Sequence, residues 1–195
     1  MTESSSALNE SLKAGNPEAW SEAMSLFCDR LSRAAWILCG DFSTAQDLVQ
    51  ETFAEAMSSV SRFEGRSDPY TWLHGILRHR YLLLRRKKRR FLRWLSLFGR
   101  RETIESTHAA GRDPVIGGET RIGIIEAVWR LSLKHREVVL LRYIEEKKVS
   151  EIAAFLSISE GTVKSRLHYA LRRLRENLGA ESATVTRPAE NIDEM

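Results

Sequence analysis

Apolar residues recur every three to four positions along most of the chain, a spacing that predicts helices. One helical pattern runs from Pro17, which suits a first turn, to Gly40, which suits a stop. A second helix is predicted after Ser43 and a third from near Tyr70. The apolar face of the second helix comprises Ala45, Leu48, Val49, Phe53, Ala56 and Val60. Alternating runs rich in Val, Ile and Thr are absent from the sequence, so the predicted fold class is all-α.

The periodicity weakens over residues 96–119, where four Gly and Pro114 accumulate. Helical patterns resume over residues 120–179, and the polar residues 180–195 read as a disordered tail. The sequence therefore predicts two small helical domains, residues 12–95 and 120–179, joined by a flexible linker.

The second domain contains a short helix, a break and a long helix. Ile152, Ala153 and Leu156 form the apolar face of the short helix, and the break falls at residues 157–159. Ser159 is a good N-cap for the long helix. The apolar stripe of that helix comprises Val163, Leu167, Ala170, Leu171, Leu174 and Leu178. This succession predicts a helix-turn-helix.

The outer face of the long helix is cationic and carries no acid from Thr162 to Arg175. At 100° per residue, the side chains on or beside this face are Thr162, Lys164, Ser165, Arg166, His168, Tyr169 and Arg172. Such a face can contact base edges from its first turns while its cations hold phosphates. The plain alternative is a helical hairpin with a solvated polar face.

Charge is distributed unevenly along the chain. Residues 1–77 carry five Lys/Arg against eleven Asp/Glu, whereas residues 78–101 carry eleven Lys/Arg and no acid. Within the basic segment, RHRYLLLRRKKRRFLRW (residues 78–94) interleaves apolar and aromatic residues with nine cations. Taken alone it fits a nuclear address, a membrane-surface helix, a solvated face or a nucleic-acid contact.

Enzymatic chemistry finds little support in the sequence. It contains no phosphate-binding loop, metal-ligand spacing or nucleophile–base set, so we expect no catalytic residue, metal, cofactor or small-molecule substrate. Cys28 and Cys39 read as reduced thiols. With no secretory signal and no apolar run of about 18 residues, the expectation is a soluble, cytoplasmic protein that is not an enzyme.

Two stretches carry a resemblance to a known family. LSLKHREVVLLRYIEEKKVSEIAAFLSISEGTVKSRLHYALRRLRENL resembles region 4 of bacterial sigma factors, and TAQDLVQETFAEAMSSVSRF with YTWLHGILRHR resembles region 2. Their direct succession is similar to the extracytoplasmic-function (ECF) subfamily. The resemblance implies an initiation factor that binds core RNA polymerase, directs it to promoter DNA and helps to melt the −10 region. It also implies an anti-sigma factor as a partner.

The resemblance further implies roles for individual residues. Core-polymerase docking falls on Asp47, Leu48, Gln50 and Glu51. Contact with the −10 element falls on Phe63, Arg66, Ser67, Asp68, Arg78, Arg80, Arg85 and Arg86. Contact with the −35 element falls on the seven residues of the long helix named above. His79 and Leu83 depart from the family's usual Asn and Asp, and His168 and Tyr169 also depart from the common pattern.

Two other hypotheses compete with this interpretation. The helix-turn-helix could belong to a stand-alone DNA-binding regulator with an N-terminal effector or dimerisation domain. Separately, the segment around Phe91, Trp94, Leu95 and Phe98 could be an interfacial membrane helix with flanking Arg.

Overall fold

A computed structural model describes residues 3–65, 67–97 and 119–185. Within these ranges the chain forms eight α-helices and no strand, which confirms the all-α prediction. The first four are α1 (Glu3–Lys13), α2 (Pro17–Cys39), α3 (Phe42–Ser59) and α4 (Pro69–Leu97), with a 3₁₀ turn at Val60–Arg62. The others are α5 (Glu119–Trp129), α6 (Leu133–Val139), α7 (Val149–Leu156) and α8 (Glu160–Val185).

The chain divides into two compact units, residues 1–111 and residues 112–195. Two helical domains were predicted, and the structure confirms that architecture. The predicted domain limits, 12–95 and 120–179, remain predictions, since most of the proposed linker lies outside the described residues. None of the helices described could span a bilayer.

The first unit is built around the packing of α2, α3 and α4. Gly40 ends α2 with a positive φ of 74°, a backbone conformation that glycine adopts without a Cβ penalty. Asp41 then caps α3, its Oδ1 accepting a hydrogen bond from the Thr44 amide at 2.7 Å. The helix thus begins at Phe42, slightly earlier than the predicted start after Ser43, because the acid rather than the serine satisfies the first amides.

α1 was not predicted as a helix. Its Ser-rich sequence, ESSSALNESLK, has weak helix propensity, which concealed it. The signal that could have revealed it is the i, i+4 spacing of Leu8 and Leu12, since Leu12 is fully buried in the first unit. Tertiary packing of this face, rather than propensity, therefore stabilises α1.

The second unit confirms the helix-turn-helix. Its core comprises Val138, Leu141, Ile152, Ala153, Leu156, Val163 and Leu167, with Ile158 packed against it. Ser157 adopts the left-handed conformation, φ 54° and ψ 48°, and turns the chain between α7 and α8. The Ser159 hydroxyl accepts from the Thr162 amide at 3.2 Å, so Ser159 acts as the predicted N-cap.

Two further features of the second unit were not predicted. The end of α6 widens into a π-helical turn, Leu140–Ile144. In addition, α8 continues to Val185, beyond the predicted limit of the second domain at residue 179. The rest of the predicted tail, residues 186–195, lies outside the described residues.

Candidate nucleic-acid interface

The outer face of α8 presents its predicted side chains to solvent. Lys164, Ser165, His168 and Arg172 are exposed, whereas Thr162 and Arg166 are partly buried. Val163, Leu167 and Ala170 on the opposite side are buried and hold the helix on α6 and α7. The core contacts thus leave the first turns of α8 open to a groove of duplex DNA.

Tyr169 is partly committed to packing within this face. Its ring stacks on His135 of α6 with centroids 4.4 Å apart, and the Arg172 guanidinium lies 5.3 Å from the Tyr169 ring centre. Burial lowers the pKa of His135, and the neighbouring charges of Lys134 and Arg166 lower it further. Both effects favour the neutral form of the imidazole under Tyr169.

Cations also line a groove beside α8, and of these only Arg166 was predicted from the sequence. Arg130 and Lys134 come from the ends of α5 and α6, and Arg166 and Arg173 come from α8. The described residues that line the groove include no acid, although the Glu176 carboxylate lies 3.0 Å from the Arg173 guanidinium beside it. Helical periodicity within α8 alone could not reveal the groove, because it forms only where α6 packs against α8.

α4 carries nine cations and no acid. Arg85 and Arg86 are exposed, as are the next four residues, Lys87, Lys88, Arg89 and Arg90. Arg78 is half-buried. The exposed run is chemically suited to a row of phosphates.

Arg80 is held differently from the other predicted −10 contacts. Its guanidinium lies 3.0 Å from the Glu51 carboxylate and 3.2 Å from the Glu55 carboxylate, and two thirds of the side chain is buried. Arg80 therefore faces acids of α3 in this arrangement, and its contact with the −10 element stays a prediction. No pattern in the sequence indicates this pairing, which depends on how α3 and α4 pack.

The loop between α3 and α4 contains four predicted −10 residues. Phe63 is only 5% exposed and stacks on Trp72 at 4.4 Å, so its ring packs in the core, and its contact with the −10 element stays a prediction. Asp68 accepts hydrogen bonds from the Thr71 amide at 2.9 Å and hydroxyl at 2.6 Å, which commits it to capping α4. Ser67 is partly exposed. Arg66 lies outside the described residues.

The predicted docking residues divide between surface and core. Asp47, Gln50 and Glu51 are exposed along α3, and Glu51 also pairs with Arg80. Leu48 is 3% exposed and packs inside the first unit, so it presents little surface to a partner, and its docking role stays a prediction. Periodicity had already placed Leu48 on the apolar face, and the structure agrees with the periodicity.

The end of α4 exposes aromatic surface. Phe91 and Trp94 are 57% and 53% exposed and stack with centroids 6.2 Å apart. Leu83 and Leu84, two turns earlier, are also exposed. Phe98 lies outside the described residues.

Comparison with known proteins gives two family matches. The profile described as Sigma-70 region 2 matches residues 26–91, and the profile described as Sigma-70, region 4 matches residues 127–176. The ECF RNA polymerase sigma factor SigL of Mycobacterium tuberculosis is 34% identical over 149 residues, covering 76% of this chain and 82% of SigL. SigW of Bacillus subtilis is 27% identical over 173 residues, covering 86% and 92%.

Solved structures show a similar fold. The sigma factor RpoE of Bartonella quintana, crystallised with the anti-sigma factor NepR, is 24% identical with a TM-score of 0.66, over 82% of this chain and 96% of RpoE. CnrH in complex with the cytosolic domain of CnrY is 22% identical with a TM-score of 0.65, over 89% and 96%.

Proposed function

The chain belongs to the ECF family of RNA polymerase sigma factors, and we propose which of its residues bind core polymerase and which bind promoter DNA. The observation that carries the proposal is the pairing, in one chain, of a cationic recognition helix and an acid-free basic helix. α8 exposes Lys164 and Arg172 on the side away from its core contacts, and α4 exposes an uninterrupted run from Arg85 to Arg90.

The alternative of a stand-alone regulator is not favoured. A regulator of that kind would carry an effector or dimerisation domain before its helix-turn-helix, whereas residues 26–91 match sigma region 2. Both matches also occur in the order found in a sigma factor.

For polymerase docking we assign Asp47 and Gln50 of α3, with Glu51 in a shared role because it also holds Arg80. These side chains form an exposed polar strip on one helix. The strip is suited to a charged helical partner, since acidic groups steer such encounters and fix their register.

For the promoter we assign three groups of contacts. The exposed cations of α4, among them Arg85 and Arg86, contact phosphates near the −10 element. The loop 63–68 takes up an unpaired base of the melted strand. The face of α8 reads the −35 element, and Arg130, Lys134 and Arg173 extend its phosphate contacts along the groove beside it.

The remaining roles follow from this assignment. The active site for RNA synthesis belongs to the polymerase, so the chain itself acts as a specificity subunit and not as an enzyme. Its place is the cytoplasm, where polymerase and promoter meet. An anti-sigma factor is a fitting regulator, as RpoE of Bartonella quintana was crystallised with one.

Reconstitution with core RNA polymerase tests the proposal. Run-off transcription over a genomic DNA library is expected to yield discrete transcripts that require the chain, and their upstream sequences define its promoter. Core polymerase alone is the control. Tight, sequence-specific DNA binding by the isolated chain, without chain-dependent transcripts, would support the regulator instead.

A further inference from the structure

The loop 63–68 is fixed at both ends by its own domain. Phe63 is anchored in the core by its stack on Trp72, and Asp68 is bound to the first turn of α4 through Thr71. Between these anchors the backbone must be held by other contacts if the loop is to keep one shape for a ligand. α1 supplies them.

Two side chains of α1 donate to backbone carbonyls of this loop. Lys13 Nζ lies 3.3 Å from the carbonyl oxygen of Glu64, and Asn9 Nδ2 lies 3.4 Å from that of Ser67. The two acceptor carbonyls lie on either side of Gly65, so α1 contacts the loop backbone at two points. Each contact joins residues more than 50 positions apart in sequence.

Gly65 shows how closely the loop approaches α1. Its φ is +74°, and a Cβ built at this position would lie 3.0 Å from Lys13 Nζ and 3.9 Å from Asn9 Nδ2. The positive φ favours glycine, since L side chains rarely adopt it. The close contact is with the flexible end of the Lys13 side chain, so it shows that the loop lies against α1 at this point.

The donors are themselves held in place. Asn9 is 2% exposed and Leu12, between the two donors, is fully buried, which anchors α1 in the first unit. Glu10 Oε1 lies 3.3 Å from Lys13 Nζ and directs the ammonium group. The buried Oδ1 of Asn9 has no hydrogen-bond partner among the described residues, so it can accept a donor.

We propose that Asn9 and Lys13 are positioning residues that hold the loop 63–68 in the conformation that takes up a base from the melted promoter strand. The proposal rests on the proposed function of the loop. α1 precedes the segment matched to region 2, so this role adds residues that neither match includes.

Hydrogen exchange of the whole chain tests whether Asn9 and Lys13 hold the loop, independently of what the loop binds. In the variant carrying Asn9→Leu and Lys13→Met, the amides of residues 64–67 are expected to exchange roughly tenfold faster, while α2 and α3 keep their protection. Ala7→Gln is the matched control, because it changes an exposed position of the same helix and leaves both donors and Glu10 in place. Unchanged exchange of the loop would overturn the proposal.

Promoter opening by the holoenzyme tests the role. The double variant is expected to lower permanganate reactivity of −10 thymines roughly tenfold, with core binding and closed-complex affinity changed less than twofold. Lys13→Arg in place of Lys13→Met should restore part of the loss, since arginine keeps a donor. A loosened loop with normal opening would also overturn the proposal. Absence of chain-dependent transcription with the wild-type chain would count against the proposed function instead. Hydrogen exchange would still test whether Asn9 and Lys13 hold the loop.

Discussion

The side chains of α8 divide between the exposed face proposed for recognition and contacts within the fold. Lys164 is exposed on the second turn, whereas Tyr169 is stacked on His135. Sequence periodicity separated the exposed face from the buried stripe correctly, because both follow from the 3.6-residue repeat. It could not indicate the stack, the Arg80 ion pairs or the burial of Phe63, because these depend on contacts between residues of different elements.

Lys164→Ala is expected to lower holoenzyme affinity for its promoter about tenfold and to weaken discrimination at the −35 element, while leaving assembly with core polymerase intact. Electrophoretic mobility shift with cognate and mutated −35 sequences measures this. Arg175→Ala on the same helix, three turns further on, is the control. Equal losses for both variants would contradict the assignment of the recognition face.

The contribution of Asp41 to the free energy of unfolding is expected to depend on pH. The hydrogen bonds from Thr44 lower the pKa of its carboxyl below the ordinary value of 3.8. A carboxyl whose pKa is lowered by folding stabilises the fold above its unfolded value, and the contribution is lost as pH falls through the folded pKa. Asp41→Ala should therefore cost about 1 kcal/mol of unfolding free energy at pH 7 and less near pH 3, as measured by urea denaturation. A cost independent of pH would contradict this role of the carboxylate.

At the scale of elements, the boundaries follow local chemistry more closely than propensity. Pro17, Gly40 and Ser159 marked helix ends that the structure confirms. α1 escaped prediction because its serines weaken the local signal, and the π-helical turn Leu140–Ile144 has no simple pattern in sequence. Both depend on packing against other helices.

At the scale of elements, Ser157 is a position where a substitution is expected to stabilise the fold. It holds a left-handed conformation that costs an L-residue about 1 kcal/mol. Ser157→Gly is therefore expected to raise the free energy of unfolding of the second unit by about 0.5 kcal/mol, the entropy of glycine offsetting part of the gain. Urea denaturation measures the change, with Ser165→Gly on the second turn of α8 as a control that should lose about 0.5 kcal/mol. A destabilised Ser157→Gly variant would show that the hydroxyl, not the backbone, matters.

The aromatic end of α4 permits a test of the interfacial-helix hypothesis. Trp20, Trp36 and Trp129 are buried and Trp72 is half-buried, so Trp94 is the most exposed of the five tryptophans. The hypothesis predicts a blue shift of emission on adding anionic vesicles at low salt, lost in Trp94→Phe. Unchanged emission would remove the hypothesis and leave this surface to protein or nucleic acid.

At the scale of the molecule, charge is segregated along the chain and in the fold. The acids of residues 1–77 include the exposed strip of α3, and the acid-free segment that follows becomes the surface of α4. Composition along the chain was sufficient to predict two domains and separate surfaces. It could not predict which charged side chains form ion pairs within the fold, as Arg80 does with Glu51 and Glu55.

The salt dependence of promoter affinity can distinguish cations that contact DNA from cations that do not. Arg86→Ala should reduce the slope of log affinity against log salt for promoter binding by about 1, since one phosphate contact is lost. Arg33→Ala, which removes an exposed cation from α2, is expected to leave the slope unchanged. Equal slopes for Arg86→Ala and wild type would place Arg86 outside the DNA contact.

The bridge from Arg80 to Glu51 and Glu55 joins the strip assigned to polymerase with the helix assigned to DNA. A polymerase that engages Glu51 leaves Arg80 bound to Glu55 alone and more able to turn toward a phosphate. Binding of one macromolecule would then strengthen binding of the other, and thermodynamic reciprocity requires the effect to be equal in both directions. The coupling would vanish in Glu51→Gln with Glu55→Gln, which makes this three-residue bridge a measurable link between assembly and promoter choice.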